Sequence, residues 1–238
     1  MANLSLLKTA LKQYTNAEKA EFLPRFFQAY PGGYGEGDKF LGISVPDQRR
    51  VAKKYFKQLS LHEIIKLLHE PIHEYRQTAL FMLVYRFEKA KDEAEKEQIV
   101  ALYLQNTAYI NNWDLVDSSA YKILGAHLLH KKKDVLYLLA RSGNLWEQRI
   151  AIIATFSFIK AGFFSDTLQL AEMLLDHPHD LIHKAVGWML REVGKRDLQV
   201  AYTFLQQHYR QMPRTMLRYA IEKFSPALRQ KFLQGTIQ

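Results

Sequence analysis

Apolar residues recur at helical spacing along nearly the whole chain. In the first segment they fall at Leu4, Leu7 and Leu11, and in the second at Phe22 and Phe26. This spacing places the apolar side chains of each segment on one face of a helix. Glycine and proline are few and separate short segments, and no run of alternating β-branched residues predicts a strand. The pattern therefore predicts an all-α fold.

The same pattern divides the chain into an opening helix pair over residues 1–29, a loop over residues 30–42 and a longer helical region over residues 43–238. The loop has four glycines between Pro31 and Asp38, which deny it regular structure. Beyond the loop, a helix is predicted to start at the sequence VPD and its partner at the sequence LHE. Further partner helices are predicted at residues 92–105, 133–141, 164–176 and 198–210.

A second regularity is a polar or basic residue near a helix start, followed by a small residue and an apolar stripe. Its anchors lie roughly 30 to 40 residues apart, a spacing that suits two-helix repeats in which each repeat buries the next. We therefore expect one α-solenoid domain over residues 1–238, with a concave basic groove and Asp117 as its central acid. The expected basic wall comprises Arg76, Arg149, Lys184, Arg191, Arg214 and Arg218.

The composition narrows the possible classes of protein. The chain carries 33 Lys and Arg against 24 Asp and Glu, a formal net charge of +9, which favours a polyanionic partner such as nucleic acid. It has no cysteine, which excludes disulfides, thiolate-ligated zinc and a thiol nucleophile. Without a long apolar run or a secretory pattern at the N-terminus, we expect a cytoplasmic protein that does not bind membranes.

Candidate chemistry is concentrated in the stretch NNWDLVDSSAY. Either asparagine can cap a helix, and Asp114 then lies in the first turn, where negative charge suits the helix dipole. Trp113 and Asp117 are four residues apart and share one face, whereas Asp114 is rotated away by about 100°. An indole beside a carboxylate can receive a cationic or sugar-like group. The alternative is an ordinary helix start with a half-buried tryptophan.

Two later stretches carry an arginine and a second tryptophan at corresponding places. Arg149, near a helix start, either binds a phosphate through its planar guanidinium or forms a salt bridge between repeats. Trp188 follows Gly187, which is expected to clear space beside the indole, and it lies either in the core or in a site. Trp146 is expected to be a core residue.

Together, Trp113, Asp117, Arg149 and Trp188 resemble the signature of the AlkD-like family of DNA alkylation repair enzymes, the alkylpurine DNA glycosylases built from HEAT-like repeats. The resemblance covers most of the chain, from about residue 40 to about residue 225. It implies a monomeric HEAT-like solenoid that works in base-excision repair without metal or cofactor. Its substrate would be double-stranded DNA, and its reaction the hydrolysis of the N-glycosidic bond of cationic N3- and N7-alkylpurines.

The resemblance also implies roles for single residues. Asp117 would be the catalytic carboxylate, Trp113 and Trp188 would pack against the sugar of the damaged nucleotide, and Arg149 would hold the backbone beside it. An alkylated purine leaves readily because it is already cationic, so one carboxylate can stabilise the oxocarbenium-like sugar and position water. Further DNA contacts are expected from Tyr34, Arg76, Lys184, Arg191, Arg214 and Arg218.

The glycine-rich loop departs from the best-known glycosylases and resembles the version found in one branch of the family. Glu36 and Asp38 are expected to add negative charge near the groove. The alternative function is therefore a non-catalytic DNA-structure-binding or scaffolding HEAT-repeat protein.

Two other clusters have ordinary explanations. The sequence His177-Pro178-His179 is typical of a loop and Asp180 of a helix cap, so we expect no metal site there in spite of the nearby His183. The basic turn His130 to Lys133 is either solvated or in contact with a phosphate backbone.

Overall fold

The computed structural model describes residues 2–237, and within this range the regular elements are helices. Extended pairing in the described part is limited to one bridge between Lys39 and Ile72. The prediction of an all-α fold is confirmed. None of the described helices is long and apolar enough to cross a membrane.

The chain separates into two compact units, Met1–Ser119 and Ala120–Gln238, called here the first and the second unit. The single solenoid domain over residues 1–238 and its basic groove stay predictions. The helices that begin in the first unit are α1 (Ala2–Lys12), α2 (Ala17–Phe26), α3 (Val45–Tyr55), α4 (Leu61–Leu68), α5 (His73–Glu88), α6 (Glu93–Gln105) and α7 (Trp113–Ala120).

Side-chain caps explain where several of these helices begin. The oxygens of Asn16, Ser44 and Asp92 accept hydrogen bonds from backbone N–H groups in the first turns of α2, α3 and α6, and these bonds satisfy donors that the helix itself leaves unpaired. Ser60 and Glu63 form a reciprocal capping box at the start of α4. The hydrogen bonds from the Ser60 backbone N–H and the Ser60 hydroxyl help to lower the pKa of Glu63 to about 2.

The centre of the first unit is α5, which packs against α3, α4 and α6. Every residue of α5 from His73 to Val84 is buried. The second half of this stretch is apolar, as a core helix requires, but its beginning reads HEYRQT. Buried polar groups need partners, because an unsatisfied one costs about 1–3 kcal/mol. The partners of this polar helix start form the candidate site of the first unit.

The second unit contains α8 (Ala126–Leu128), α9 (Asp134–Arg141), α10 (Leu145–Ala154), α11 (Phe156–Lys160), α12 (Ser165–Met173), α13 (Asp180–Arg196), α14 (Leu198–His208), α15 (Arg214–Ala220) and α16 (Pro226–Gln234). Helix α10 packs against α9 and α13, and α13 packs against α14 and α15. A Cβ atom on Gly187 would lie 2.5 Å from the carbonyl oxygen of Met216. The glycine therefore permits the close approach of α13 and α15, and the expectation that it clears space beside Trp188 stays a prediction.

A π-helical turn, Tyr121–Gly125, links α7 to α8. The hydroxyl of Ser157 donates to the carbonyl of Tyr121, which supplies a partner outside the wider turn. A Cβ atom on Gly125 would lie 2.1 Å from the carbonyl oxygen of Ala154, so only glycine permits this contact with α10. Wider turns of this kind occur frequently at functional sites.

Candidate functional site

The start of α7 presents the two residues that the sequence places on one helix face. Asn112 is fully buried and its side chain accepts a hydrogen bond of 2.8 Å from the Trp113 backbone N–H. Its carbonyl accepts the first helical bond, 3.2 Å from the Val116 N–H. Because the helix runs from Trp113 to Ala120, Trp113 and Asp117 lie one turn apart. Both are half-buried.

The Trp113 indole lies against aromatic residues at the end of α2. It stacks on Phe27, with ring centroids 5.5 Å apart and planes 29° apart, and meets Phe26 edge-on at 5.9 Å. Phe27 is buried and Phe26 is exposed. Aromatic pairs of this geometry contribute about 0.5–1.5 kcal/mol beyond the area they bury. One part of the indole is thus fixed by packing while another part remains accessible to solvent.

The charge of Asp117 affects the pKa of Tyr103, a buried residue of the same unit. The hydroxyl of Tyr103 is 3.0 Å from the Ser119 hydroxyl. Burial is the main cause that raises the pKa of Tyr103, the hydrogen bond to Ser119 opposes it, and the negative charge of Asp117 raises it further. The carboxylate therefore lies close enough to the interior for its charge to be felt there.

Asp114 binds two side chains from the start of α5. His73 Nε2 lies 2.8 Å from Asp114 Oδ2, and the Gln77 amide donates to the same oxygen at 2.8 Å. The other oxygen of Asp114 accepts a bond of 2.9 Å from the Leu115 N–H. Asp114 is therefore occupied by bonds that attach α7 to α5.

The opposite nitrogen of His73 binds a residue of the glycine-rich loop. His73 Nδ1 is 2.9 Å from Asp38 Oδ2, and Arg76 forms an ion pair with the same carboxylate. Burial opposes a charged imidazole, but the carboxylates of Asp114 and Asp38 outweigh it and raise the pKa of His73 to about 9. Burial likewise opposes a charged Asp38, yet His73 and Arg76 together lower the pKa of its carboxyl group.

This arrangement overturns the expectation that Asp38 adds negative charge near the groove, and it bears on the predicted DNA contact of Arg76. Asp38 adds no exposed negative charge, because its side chain is buried and paired with two cationic groups. Arg76 is only 6% exposed. An arginine held in this way offers little surface to a phosphate group.

The glycine-rich loop is attached to the first unit along most of its length. The buried Glu74 carboxylate accepts the backbone N–H groups of Leu41, Gly42 and Ile43 at 2.7–3.2 Å. A Cβ atom on Gly35 would lie 2.4 Å from the carbonyl oxygen of Phe27, so the loop also packs closely against the end of α2. Tyr34 is half-buried on this loop.

In the second unit, Arg149 is only 4% exposed. Its guanidinium donates to the backbone carbonyl of Leu181 in the first turn of α13. Arg149 therefore joins α10 to the next long helix. The role of Arg149 in binding a phosphate stays a prediction.

Trp188 lies half-buried on α13 beside a group of polar and aromatic residues. Its indole N–H donates to Glu192 at 3.2 Å, and its ring centroid is 5.8 Å from that of Phe156. Lys160 Nζ lies 4.5 Å from the centroid of Phe156 and 4.8 Å from that of Tyr121. Such distances are those of cation–π contacts. The sequence did not predict this cluster of three aromatic rings with a cation over two of them.

The remaining basic residues of the predicted wall differ in their surroundings. Lys184 forms an ion pair of 2.6 Å with Asp180, and Arg191 forms ion pairs with Glu192 and Glu222. The exposed Arg214 donates to the carbonyl of Leu233 at 3.2 Å, and Arg218 is exposed. Trp146 is buried, as expected.

His177 and His179 accept backbone hydrogen bonds at the N-terminus of α13. His179 Nδ1 accepts the Leu181 N–H at 3.1 Å, so His179 caps the helix in place of Asp180. His177 Nδ1 accepts the His179 N–H at 3.0 Å, and His177 Nε2 lies 2.9 Å from the Gln148 amide oxygen. Burial lowers the pKa of both histidines.

Three comparisons with known proteins bear on these observations. A family model described as DNA alkylation repair enzyme matches residues 7–224. The chain belongs to this family. The family match covers both compact units and includes Trp113, Asp117, Arg149 and Trp188. No curated protein matches the chain.

A solved structure from Enterococcus faecalis, described as a predicted DNA alkylation repair enzyme, matches with a TM-score of 0.69. The two sequences are 16% identical, and the match covers 89% of this chain and 97% of that chain. At this identity the likeness establishes the fold, and the activity of this DNA alkylation repair family member has to be argued from its residues.

Proposed function

We propose that this member of the DNA alkylation repair enzyme family is a DNA glycosylase that excises cationic N3- and N7-alkylpurines from duplex DNA. The family match, the net charge of +9 and the placement of Trp113 beside Asp117 on α7 support the proposal. The base released is already a good leaving group, since alkylation gives it a positive charge.

The observation that carries the proposal is the different surroundings of the two acids at the start of α7. Asp114 accepts hydrogen bonds from His73 and Gln77, so its carboxylate serves structure. Asp117 lies on the other face, one turn from an indole that is held by Phe27. A carboxylate next to an aromatic face suits a sugar on which positive charge develops.

The reaction requires the bond between the sugar carbon C1′ and the purine nitrogen to break, with the electron pair leaving on the base. The base departs neutral, and the sugar becomes an oxocarbenium-like cation. We assign to the Asp117 carboxylate the stabilisation of that cation and the orientation of the water that adds to C1′, while the proton of that water passes to solvent. The face of Trp113 attracts the positive edge of the same sugar.

The second unit contributes contacts to the backbone in this proposal. The resemblance assigns the phosphate beside the lesion to Arg149 and part of the sugar to Trp188. Arg214 and Arg218 are exposed and suit further phosphates, because such contacts need charge at the surface. Lys184 and Arg191 already pair with carboxylates, so a phosphate would have to compete with those partners.

The test is base release from a duplex that contains N7-methylguanine. We expect release by the wild-type protein and a loss of about a hundredfold or more in Asp117→Asn, with DNA binding retained. Asp176→Asn, which removes an exposed acid of the second unit, is the matched control and should behave as wild type. A wild-type protein that binds the duplex but releases no base would contradict the proposal and favour the DNA-binding or scaffolding alternative.

The salt dependence of DNA affinity separates the two forms of that alternative. A protein that contacts phosphates releases counterions, so its affinity falls steeply as salt rises. A scaffold for other proteins would show no such slope. In the DNA-binding form, Asp117→Asn should leave affinity unchanged or raise it, because a negative charge is removed from a surface that faces phosphates.

A further inference from the structure

His73 has a hydrogen-bond partner at each ring nitrogen and two aromatic rings beside its imidazole. Asp38 and Asp114 lie at 2.9 Å and 2.8 Å from its two nitrogens. Phe27 and Phe40 have ring centroids 4.7 Å and 5.1 Å from the imidazole. The phenyl rings exclude water, and both carboxylates can be satisfied at once only when both nitrogens carry a proton.

These contacts join three separate segments of the first unit. Asp38 belongs to the glycine-rich loop, His73 is the first residue of α5, and Asp114 is the second residue of α7. Arg76 and Gln77, from the next turn of α5, bind the same two carboxylates. Five buried or half-buried polar residues are therefore connected by hydrogen bonds and by the ion pair between Arg76 and Asp38.

The chain reaches the two residues assigned to the reaction by two routes. Phe27 stacks on the imidazole at 4.7 Å and on the Trp113 indole at 5.5 Å. Asp114 lies between Trp113 and Asp117 in the first turn of α7 and sets the rotation of that turn through its bonds to α5. A shift of His73 would therefore move both the indole and the helix face that carries Asp117.

We propose that the Asp38–His73–Asp114 chain positions Trp113 and Asp117 for the reaction, with His73 as the positioning residue. The inference rests on the proposed function for its effect on rate, but its effect on the Trp113 indole can be measured without any reaction. The structure gives His73 this part because its two ring nitrogens bond to Asp38 of the loop and to Asp114 of α7.

If the His73 side chain only filled space, it would not need hydrogen bonds to Asp38 and Asp114. Removing the imidazole cation takes a counter-charge away from the buried Asp38 and the half-buried Asp114, which costs more than the loss of the bonds themselves. The charged groups around the imidazole are Asp38 from the loop and Asp114 from α7, and Arg76 of α5 contacts the same oxygen of Asp38 as His73 does. The raised pKa of His73 agrees with this geometry.

The test compares His73→Phe with His69→Phe. His69 is a matched control, because it lies in the same unit, stacks on Tyr109 at 3.9 Å and binds Asn106 at 2.6 Å, but it binds no carboxylate in these contacts. Acrylamide quenching of Trp113 fluorescence, measured with Trp146 and Trp188 replaced by Phe, reports the exposure of the indole. Single-turnover base release and DNA affinity are measured with both tryptophans present.

We expect His73→Phe to remain folded by circular dichroism, to show roughly twofold stronger quenching as the indole leaves its stack, and to excise roughly tenfold to a hundredfold more slowly at saturating protein. Its DNA affinity should change far less, and His69→Phe should match wild type in all these measurements. If His73→Phe unfolds, Asp114→Asn, which keeps the shape of the acid, takes its place with the same expectations.

The quenching measurement tests the positioning role of His73, and base release by the wild-type protein tests the proposed glycosylase activity. Quenching that stays at the wild-type level in a folded variant, or that rises equally in His69→Phe, overturns the positioning role whatever the enzyme does. Stronger quenching in His73→Phe alone supports the role, even if the wild-type protein releases no base and the proposed glycosylase activity is refuted. Slower excision without stronger quenching also overturns it, because the rate would then depend on something other than the indole.

Discussion

The stability of the first unit should decrease as the pH rises from about 6.5 to about 9, because His73 loses its proton in this range. Its folded-state pKa of about 9 lies above the value of 6.5 for an exposed histidine. A raised histidine pKa contributes stability that is complete below the unfolded-state pKa and is lost as the pH passes the folded-state pKa. The difference between these two pKa values corresponds to about 3 kcal/mol.

Several other groups that have shifted pKa values affect stability outside the interval between pH 6.5 and pH 9. Asp38 has a lowered pKa, so its contribution is present above its ordinary value and is lost only in acid. His177 and His179 have lowered pKa values, and they act below pH 6.5 with the opposite sign. Tyr137 has a pKa raised to about 12, well above the range. The interval between 6.5 and 9 is therefore governed mainly by His73.

The assay is urea unfolding at several pH values across this interval, followed by Trp113 fluorescence with the other two tryptophans replaced by Phe. His73→Gln provides the comparison, because its side chain does not titrate. The free energy of unfolding should fall by about 3 kcal/mol more in the His73 protein than in the variant between the two ends of the range. Equal pH dependence in both proteins would refute the reasoning, since the imidazole would then carry no charge between its carboxylates.

Three further results are expected. If Arg149 holds a phosphate, Arg149→Ala should weaken binding to damaged and undamaged duplex alike, and the dependence of DNA affinity on salt should fall by about one phosphate contact. A lower melting temperature with unchanged DNA binding would show that Arg149 contributes only to packing. Trp113→Ala and Trp188→Ala should each cost roughly tenfold in single-turnover excision rate and less in affinity, and variants that instead unfold would remove the indoles from the site. Gly187→Ala should destabilise the protein by about 1–3 kcal/mol in thermal unfolding, whereas Gly194→Ala, whose Cβ would meet only side chains at 3.2 Å and 3.3 Å, should change stability little.

The helices could be predicted closely because their signals are local. The helix expected at residues 92–105 is observed as Glu93–Gln105 with Asp92 as its cap, and the one expected at residues 198–210 is observed as Leu198–His208. Apolar spacing and capping residues act within a few positions of each other. The π-helical turn at Tyr121–Gly125 has no such signal, since it depends on the approach of Ala154 and Ser157.

The shared face of Trp113 and Asp117 could also be predicted, because helix geometry fixes it. The role of Asp114 could not. Spacing showed that Asp114 points away from Asp117, but not that His73 and Gln77 would meet it there. The pairing joins residues about 40 positions apart, and only tertiary packing brings them together.

The recurring arginine near helix starts is a sequence signal that allows two interpretations, a basic surface or a packing contact. The recurring basic anchor predicts a basic surface that includes the start of α5. Arg76 and Arg149 are instead both buried, and they bind a neighbouring segment through Asp38 and through the Leu181 carbonyl. Each of these two arginines therefore has a structural partner within its own unit. Arg214 and Arg218 are exposed, so mutation of this pair should affect DNA affinity with less loss of stability than mutation of the buried Arg76 and Arg149.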